Sequence, residues 1–351
     1  MTYLYKIFDK RPIRVSYFLL LAFLLVLAII FSTGMGYLNI SAIDVMKIMV
    51  ARISGDGNLL KGVNNIFPYV ILEVRLPRIL TSAIVGAGLS ISGVIFQGIL
   101  LNPLADPYTL GVSAGAAFGA SVAIILNISF LGAYSIQLFA FLGAIGTLIA
   151  VIYLSSFEGR ASSNSLILSG VIVAAILSAG ISFLKYVADE QVSIIIFWLM
   201  GSFASETWAD VSFTMIFVLA GFLISFFFAR DLNIISLGDR AAHSLGVSSD
   251  RVRMILLVTA SFIAAVCVSV SGIIGFVGLV VPHLMRFFTG ADNKVLLPAS
   301  GLAGAILLLS ADTITRAVLP REVPIGVITA IIGGPLFCYI LKKRGKRVVN
   351  V

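Results

Sequence analysis

The side chains able to do bond chemistry are few in this chain and do not gather into a site. The two histidines, His243 and His283, fall in different segments, and the two cysteines, Cys267 and Cys338, sit in separate apolar runs. That arrangement implies neither a disulfide framework nor the Cys/His ligand spacing of a structural zinc site. No GxxxxGK[ST] stretch occurs in the sequence, so the chain does not itself hold ATP through a phosphate-binding loop. Acidic residues within apolar runs, the usual mark of a proton- or sodium-driven carrier, are scarce. Asp312, in "LLLSADTITR", is the main exception, and Arg316 follows one helical turn later, within pairing distance. No catalytic, cofactor-binding or metal-ligating residues are assigned, and the energy for any work must come from elsewhere.

Two polar stretches remain. "LGDRAAHSLGVSSDR", Leu237–Arg251, interrupts two apolar runs. Asp239–Leu245 would make about two helical turns bracketed by Gly238 and Gly246, with a serine of "SSDR" capping the next helix. Leu237, Ala241, Ala242 and Leu245 would share one face, and Asp239, Arg240 and His243 the other. Such a helix is either filler or a handle for a soluble partner. The second stretch, "FQGILLNPLADPYTLG" (Phe96–Gly111), carries Asn-Pro and Asp-Pro, which turn the chain. It predicts a kinked elbow at the inner face. Gln97, Asn102, Pro103 and Asp106 either pin that elbow or lie beside a translocation path or its gate. Pro282 and His283, in the Gly/Pro-broken segment 275–288, have the same two readings, since such a segment survives in a membrane only inside protein or along a cavity.

The elements that must position these residues follow from composition. Among 351 residues, 60% are hydrophobic and only 11% charged, and the mean hydropathy is +1.10. A soluble domain carries about 25% charged residues, so the chain is an all-α integral membrane protein. Apolar runs at roughly 15–35, 78–100, 133–155, 164–184, 211–229, 253–271, 296–318 and 324–341, with shorter ones near 112–127 and 278–288, predict about ten spans. The first run lacks a convincing small-residue cleavage site and is read as a retained span. With both termini inside, alternation gives a two-to-one excess of Lys and Arg on the inner side. The net charge of +8 is then mostly orientation and needs no nucleic acid. The island 231–251 falls on the cytoplasmic side. The connection 36–74 falls outside, with an amphipathic helix in "AIDVMKIMVARI" that is either a cap or a docking surface.

"SISG" at Ser90–Gly93, Pro103 and Gly111 recur as "SVSG" at Ser269–Gly272, Pro282 and Gly290 with one constant shift. Chance in a Gly- and Ser-rich chain is one explanation. Two inverted five-span halves are the other.

Three long ordered stretches now carry a resemblance: "RLPR" through "GAGLSISGVIFQGILLNPLADPYTLGVSAGAAFGA", "LNIISLGDRAAHSLGV", and "GIIGFVGLVVPHLMR" through "EVPIGVITAIIGGPLF". Across essentially the whole chain the sequence resembles the FecCD family of ABC-transporter permeases, importers of iron(III)-siderophore, haem and vitamin B12 type substrates. The resemblance implies a BtuC-like permease fold of ten spans in a bacterial or archaeal cytoplasmic membrane, with 1–351 as one permease domain. It implies a second permease subunit (a homodimer or close heterodimer), two cytoplasmic ATPases that bind ATP and Mg, and an extracytoplasmic binding protein. Leu237, Gly238, Asp239, Arg240, Ala241, His243, Leu245 and Gly246 match the family's ATPase-coupling helix. Arg75, Arg78 and Arg316 match outward arginines that receive acidic residues of the binding protein. Iron-siderophore is the expected cargo, with haem, cobalamin or another metal chelate or oxyanion as alternatives. A secondary transporter driven by an ion gradient is the reading from another class.

Overall fold

The computed structural model describes residues 11–38, 40–132, 134–156, 162–317 and 322–349. Lys6, Lys10, Arg160 and Arg321 of the charge pattern lie outside these residues. All regular structure described is helical: α1 (Arg11–Gly34), α2 (Ala42–Ser54), α3 (Leu76–Ile99), α4 (Val112–Ile125), α5 (Tyr134–Ser155), α6 (Ser163–Val187), α7 (Val192–Leu199), α8 (Trp208–Phe227), α9 (Ala229–Ile235), α10 (Asp239–Ser244), α11 (Ser249–Ser271), α12 (Val277–Thr289), α13 (Asn293–Ala317) and α14 (Ile325–Val349). Among the described residues seven helices are long and apolar enough to cross a membrane, and three more, in α4, α12 and α14, are apolar but shorter. The chain is a multi-span membrane protein.

Helix ends follow local chemistry. Ser41 caps α2 by accepting from the Asp44 amide, and Gly55 closes it at φ 72°. Thr207 and Asp210 form a reciprocal capping box at the head of α8. Ser248 occupies the cap position of α11 without a side-chain hydrogen bond, so the expected serine cap is absent.

The bundle is organised around α3. In the rod that contains it, 89% of the most apolar window is buried, against 11% in α1 and 22% in α6. Apolar side chains such as Phe23 and Phe31 of α1 and Ile176 and Phe183 of α6 are exposed, as lipid-facing residues must be. Small residues set the closest crossings. A Cβ on Gly93 of α3 would overlap the Gly278 backbone of α12, and one on Gly86 would overlap the Gly304 backbone of α13. Without a hydrophobic drive between helices in lipid, such backbone contact supplies the packing energy.

Three expectations change. First, the rod leading into α3 starts at Ile66, through a helical turn to Tyr69 and a π-helical stretch Val70–Arg75, and takes in the end of the 36–74 connection. Glu73, Arg75 and Arg78 made this part look wet, yet both arginines are buried. Second, the elbow does not stay at one face. Tyr108 Oη donates to the Ile274 carbonyl at 2.6 Å and accepts from the Ile274 amide at 3.3 Å, joining the elbow to the link between α11 and α12. The Pro107 ring lies against Gly278. With 14 and 13 residues, α4 and α12 are each about 20 Å long, short of the ~30 Å hydrocarbon core. They begin beside this buried junction, where two irregular segments satisfy each other inside protein. Third, the residues matched by the constant shift take different places in the structure. Gly93 lies inside α3, whereas Gly272 caps the end of α11; Pro103 is in the elbow, whereas Pro282 is inside α12.

Candidate functional site

The two groups of residues singled out lie at opposite ends of the antiparallel pair α3 and α13. At one end, α9 buries Leu232 and Ile235, and Leu232 packs where a side chain on Gly98 of α3 would otherwise stand. Asn233 fastens α9 to the head of α13: it donates to Asp292 at 2.9 Å and accepts from the Asn293 amide at 2.9 Å and side chain at 2.8 Å. The chain then turns at Gly238 (φ 102°) into α10 and leaves through Gly246 (φ 79°). The sequence-predicted helix is therefore present, one residue shorter than Asp239–Leu245.

Its faces are not those expected. Only Ala242 is buried on α10, while Leu237 and Leu245 are 69% and 62% exposed. The helix rests on one small residue because the leucine anchors of this unit belong to α9. Asp239, Arg240 and His243 are exposed, and Ala241 is half-buried. The Asp239 carboxylate accepts from Arg253 Nη2 of α11 at 3.1 Å. Two uncovered leucines flanking a short polar helix form a mixed surface of the kind seen in protein contacts.

At the other end Arg75, Arg78 and Arg316 converge, their side chains largely buried. Arg75 donates to the carbonyls of Thr33 (2.9 Å), Gly34 (3.1 Å) and Leu38 (2.6 Å), and so closes the end of α1. Arg316 donates to the Met35 carbonyl at 2.9 Å and to the Ser32 carbonyl and hydroxyl at 2.9 and 2.8 Å. Arg78 holds Asp312 through Nε and Nη2 at 3.0–3.1 Å, and Glu322 through Nη1 at 3.1 and 3.2 Å. Asp312 pairs chiefly with Arg78; its separation from Arg316, the partner expected from spacing, is 4.0 Å.

Beside this cluster Glu206, between α7 and α8, is buried, and its Oε2 has no hydrogen-bond partner among the described residues. Burial pushes its carboxyl up to about 9; Asp210 adds to the rise and Arg78 opposes it. It is neutral at pH 7.

The other expected residues separate into two sets. Gln97 is buried between α3 and α12. Because Pro282 has no N–H, the Gly278 carbonyl four residues earlier lacks its helical donor, and Gln97 Nε2 reaches it and the Leu279 carbonyl at 3.5 and 3.2 Å. Arg286 donates to Gln97 Oε1. His283 is buried, with its ring edge-on to Phe287 and Phe337. Asn102 and Asp106 instead serve the elbow backbone, accepting from Leu104 N, and from Tyr108 N and the Thr109 hydroxyl, respectively; Pro103 is half-buried beside them. Sequence reasoning passed over Glu206, Glu322, Asn233, Arg253 and Tyr108. A lone acid between two apolar runs was signal enough for Glu206; the others are recognisable only through their partners.

Comparison with known proteins agrees with this architecture. The profile of the FecCD transport family matches residues 24–343. The cobalamin import system permease of Halobacterium salinarum is 41% identical over 289 residues, covering 82% of this chain and 77% of that protein. The Fe(3+)-citrate import system permease of Bacillus subtilis is 38% identical over 341 residues, covering 97% and 98%. A solved structure described as a metal-chelate type ABC transporter, inward-facing, superposes with a TM-score of 0.82 at 36% identity, covering 93% of this chain and 99% of the other. The chain belongs to the FecCD transport family.

Proposed function

We propose that this chain carries iron(III)-siderophores across the cytoplasmic membrane, with one of two separate ATPases gripping α10 of each permease copy and an extracytoplasmic binding protein delivering the cargo. Membership of the family makes it the membrane permease subunit of a metal-chelate or siderophore type ABC importer. One observation carries the coupling role: Leu237 and Leu245 stand uncovered at the two ends of α10, beside Arg240 and His243, on a segment anchored through Leu232, Asn233 and Asp239 to α3, α13 and α11. A push on α10 is thereby delivered to three helices at once. Arg240, His243 and the two leucines meet the ATPase; Gly238 and Gly246 set the angle of the helix, and Ala241 lies at its edge.

In this reading α4, α12 and α14 complete ten spans, the termini and α10 are cytoplasmic, and the 36–65 segment with Arg75, Arg78 and Arg316 faces outside. A second permease copy packs beside it, and Gln97, Pro282 and His283 lie along the path. ATP and Mg bind the ATPases, and this chain makes and breaks no covalent bond. Iron is favoured as cargo because a relative covering 97% of the chain is an Fe(3+)-citrate permease. The charged residues of the long helices cluster toward helix ends, which disfavours a proton- or sodium-driven carrier.

The test is uptake into vesicles containing the permease, its ATPase and its binding protein, with radioiron siderophores, haem and cobalamin as competing cargoes. ATP-dependent siderophore uptake is expected. Leu237→Asp with Leu245→Asp should abolish uptake and ATPase co-purification while leaving the permease as heat-stable as the wild type, since both side chains are exposed. Retained uptake in that variant overturns the coupling role, and preference for another cargo overturns the siderophore assignment.

A further inference from the structure

The three arginines of the proposed docking patch differ in what they already hold. Arg75 and Arg316 are spent on main-chain carbonyls and one hydroxyl around the end of α1. To turn either outward would strip a buried helix end of its donors. Arg78 is different. Two of its nitrogens hold Asp312, whose side chain is 1% exposed, and the third holds Glu322, whose side chain is 53% exposed. Among the described residues, Glu322 is the half-exposed carboxylate of this cluster and the one partner that solvent, or another protein, can replace without opening the core.

We propose that Glu322 is an internal stand-in for the carboxylate of a docking protein. It occupies the outward Nη1 of Arg78 while the patch is vacant, and it yields that position to an aspartate or glutamate of the partner. The proposal rests on the reading of the arginine patch as the docking surface. The exchange is carboxylate for carboxylate on the same donor, so the number of charge-assisted hydrogen bonds is conserved. Asp312 stays on Nε and Nη2 throughout, so the buried guanidinium is never left without a counter-charge, which would be the expensive outcome.

Position gives the exchange a consequence. Glu322 lies just ahead of α14, and the first two amides of that helix, Ile325 and Gly326, donate to the carbonyls of Gly201 and Met200 at 3.1 and 3.0 Å. These carbonyls open the 200–207 segment that carries Glu206, itself within the electrostatic reach of Arg78 and Asp312. Releasing Glu322 frees the lead-in of α14 at the point where that helix is fastened to the bundle. A docking event at Arg78 is thereby felt at the head of α14 without any contact to α14 itself.

The test uses the permease–ATPase complex in lipid nanodiscs and the purified extracytoplasmic binding protein as probe. Docking affinity is measured for the wild type and Glu322→Gln at several salt concentrations, and hydrogen exchange is followed at 322–327. Removing a half-exposed competing carboxylate should tighten docking about two- to fivefold, the span of a surface ion pair. In the wild type the 322–327 amides should exchange faster once the binding protein is added. In Glu322→Gln they should exchange fast from the start. Unchanged or weaker docking by Glu322→Gln, with docking still weakened by salt, overturns the stand-in and leaves the docking surface intact. Docking indifferent to both salt and Glu322→Gln overturns the docking surface too.

Discussion

Gly93→Ala should separate α3 from α12. A Cβ built on Gly93 would lie 2.6 Å from the Gly278 carbonyl carbon and 2.8 Å from its Cα, with the carbonyl oxygen nearer still, whereas ordinary contacts begin near 3.4 Å. Clearing the carbonyl oxygen requires the helices to part by more than about 1 Å, and because the obstruction is backbone, no rotamer change relieves it. Such overpacking costs about 1–3 kcal/mol, and this site belongs at the upper end. Parting would also stretch the Gln97 hydrogen bonds to the Gly278 and Leu279 carbonyls. Two controls grade the effect. On Gly98 the added carbon meets only the flexible end of Leu232, at 2.8 Å, and on Gly146 it meets nothing within 4 Å. Gly146→Ala should be neutral or stabilising by up to about 1 kcal/mol, since alanine is the better helix former. The assay is thermal or denaturant unfolding of the three variants in one detergent, with uptake measured in parallel. The expected order of stability is Gly146→Ala, then Gly98→Ala, then Gly93→Ala well below. Gly93→Ala as stable as Gly146→Ala would refute the backbone-contact reasoning.

Two other perturbations test the interior polar groups. Glu206 is held at about 9 in the fold, against about 4.3 unfolded, so between roughly pH 5 and 9 the folded chain binds the extra proton. Stability should fall as pH rises through that window, by at most about 1.4 kcal/mol per unit, and level off above it; Glu206→Gln should flatten the profile in melting curves from pH 6 to 10, and an unchanged slope would sink the assignment. Tyr108→Phe deletes the hydroxyl that both donates to and accepts from Ile274. It should destabilise by about 1–3 kcal/mol, read by unfolding and by faster hydrogen exchange of the Ile274 amide; an unaltered Ile274 exchange rate would mean the junction is not held by this residue.

The membrane class and most helix positions were legible because a bilayer demands apolar length, and length is written directly in the sequence. The short helix α10 was legible for the same reason in reverse, as polar residues where greasy ones could have stood. What failed was everything set by partners. Charge at Glu73, Arg75 and Arg78 suggested water and ended the apparent span early; the arginines are buried because Thr33, Gly34, Leu38, Asp312 and Glu322 receive their donors, and no local pattern announces that. A helical wheel groups Leu237 and Leu245 with Ala242 but does not say which side turns in; the inward anchors of this unit are Leu232 and Ile235 of α9, and the two leucines stay exposed. The elbow was recognised as a turn, but Asn-Pro and Asp-Pro could not say that Tyr108 would return to meet Ile274.

That junction between Tyr108 and Ile274 bears on how the protein tolerates membranes of different thickness. A helix that runs from one headgroup layer to the other must tilt, or strain the bilayer around it, when the hydrocarbon thickness changes, at a fraction of a kcal/mol per ångström. Helices α4 and α12 begin beside the buried junction of elbow and link, so their lengths are matched to the protein and not to the lipid. The full-length, lipid-facing helices α1 and α6 are the ones that must absorb a mismatch, while α12, which bears Pro282 and His283, begins at a protein junction that lipid thickness does not set.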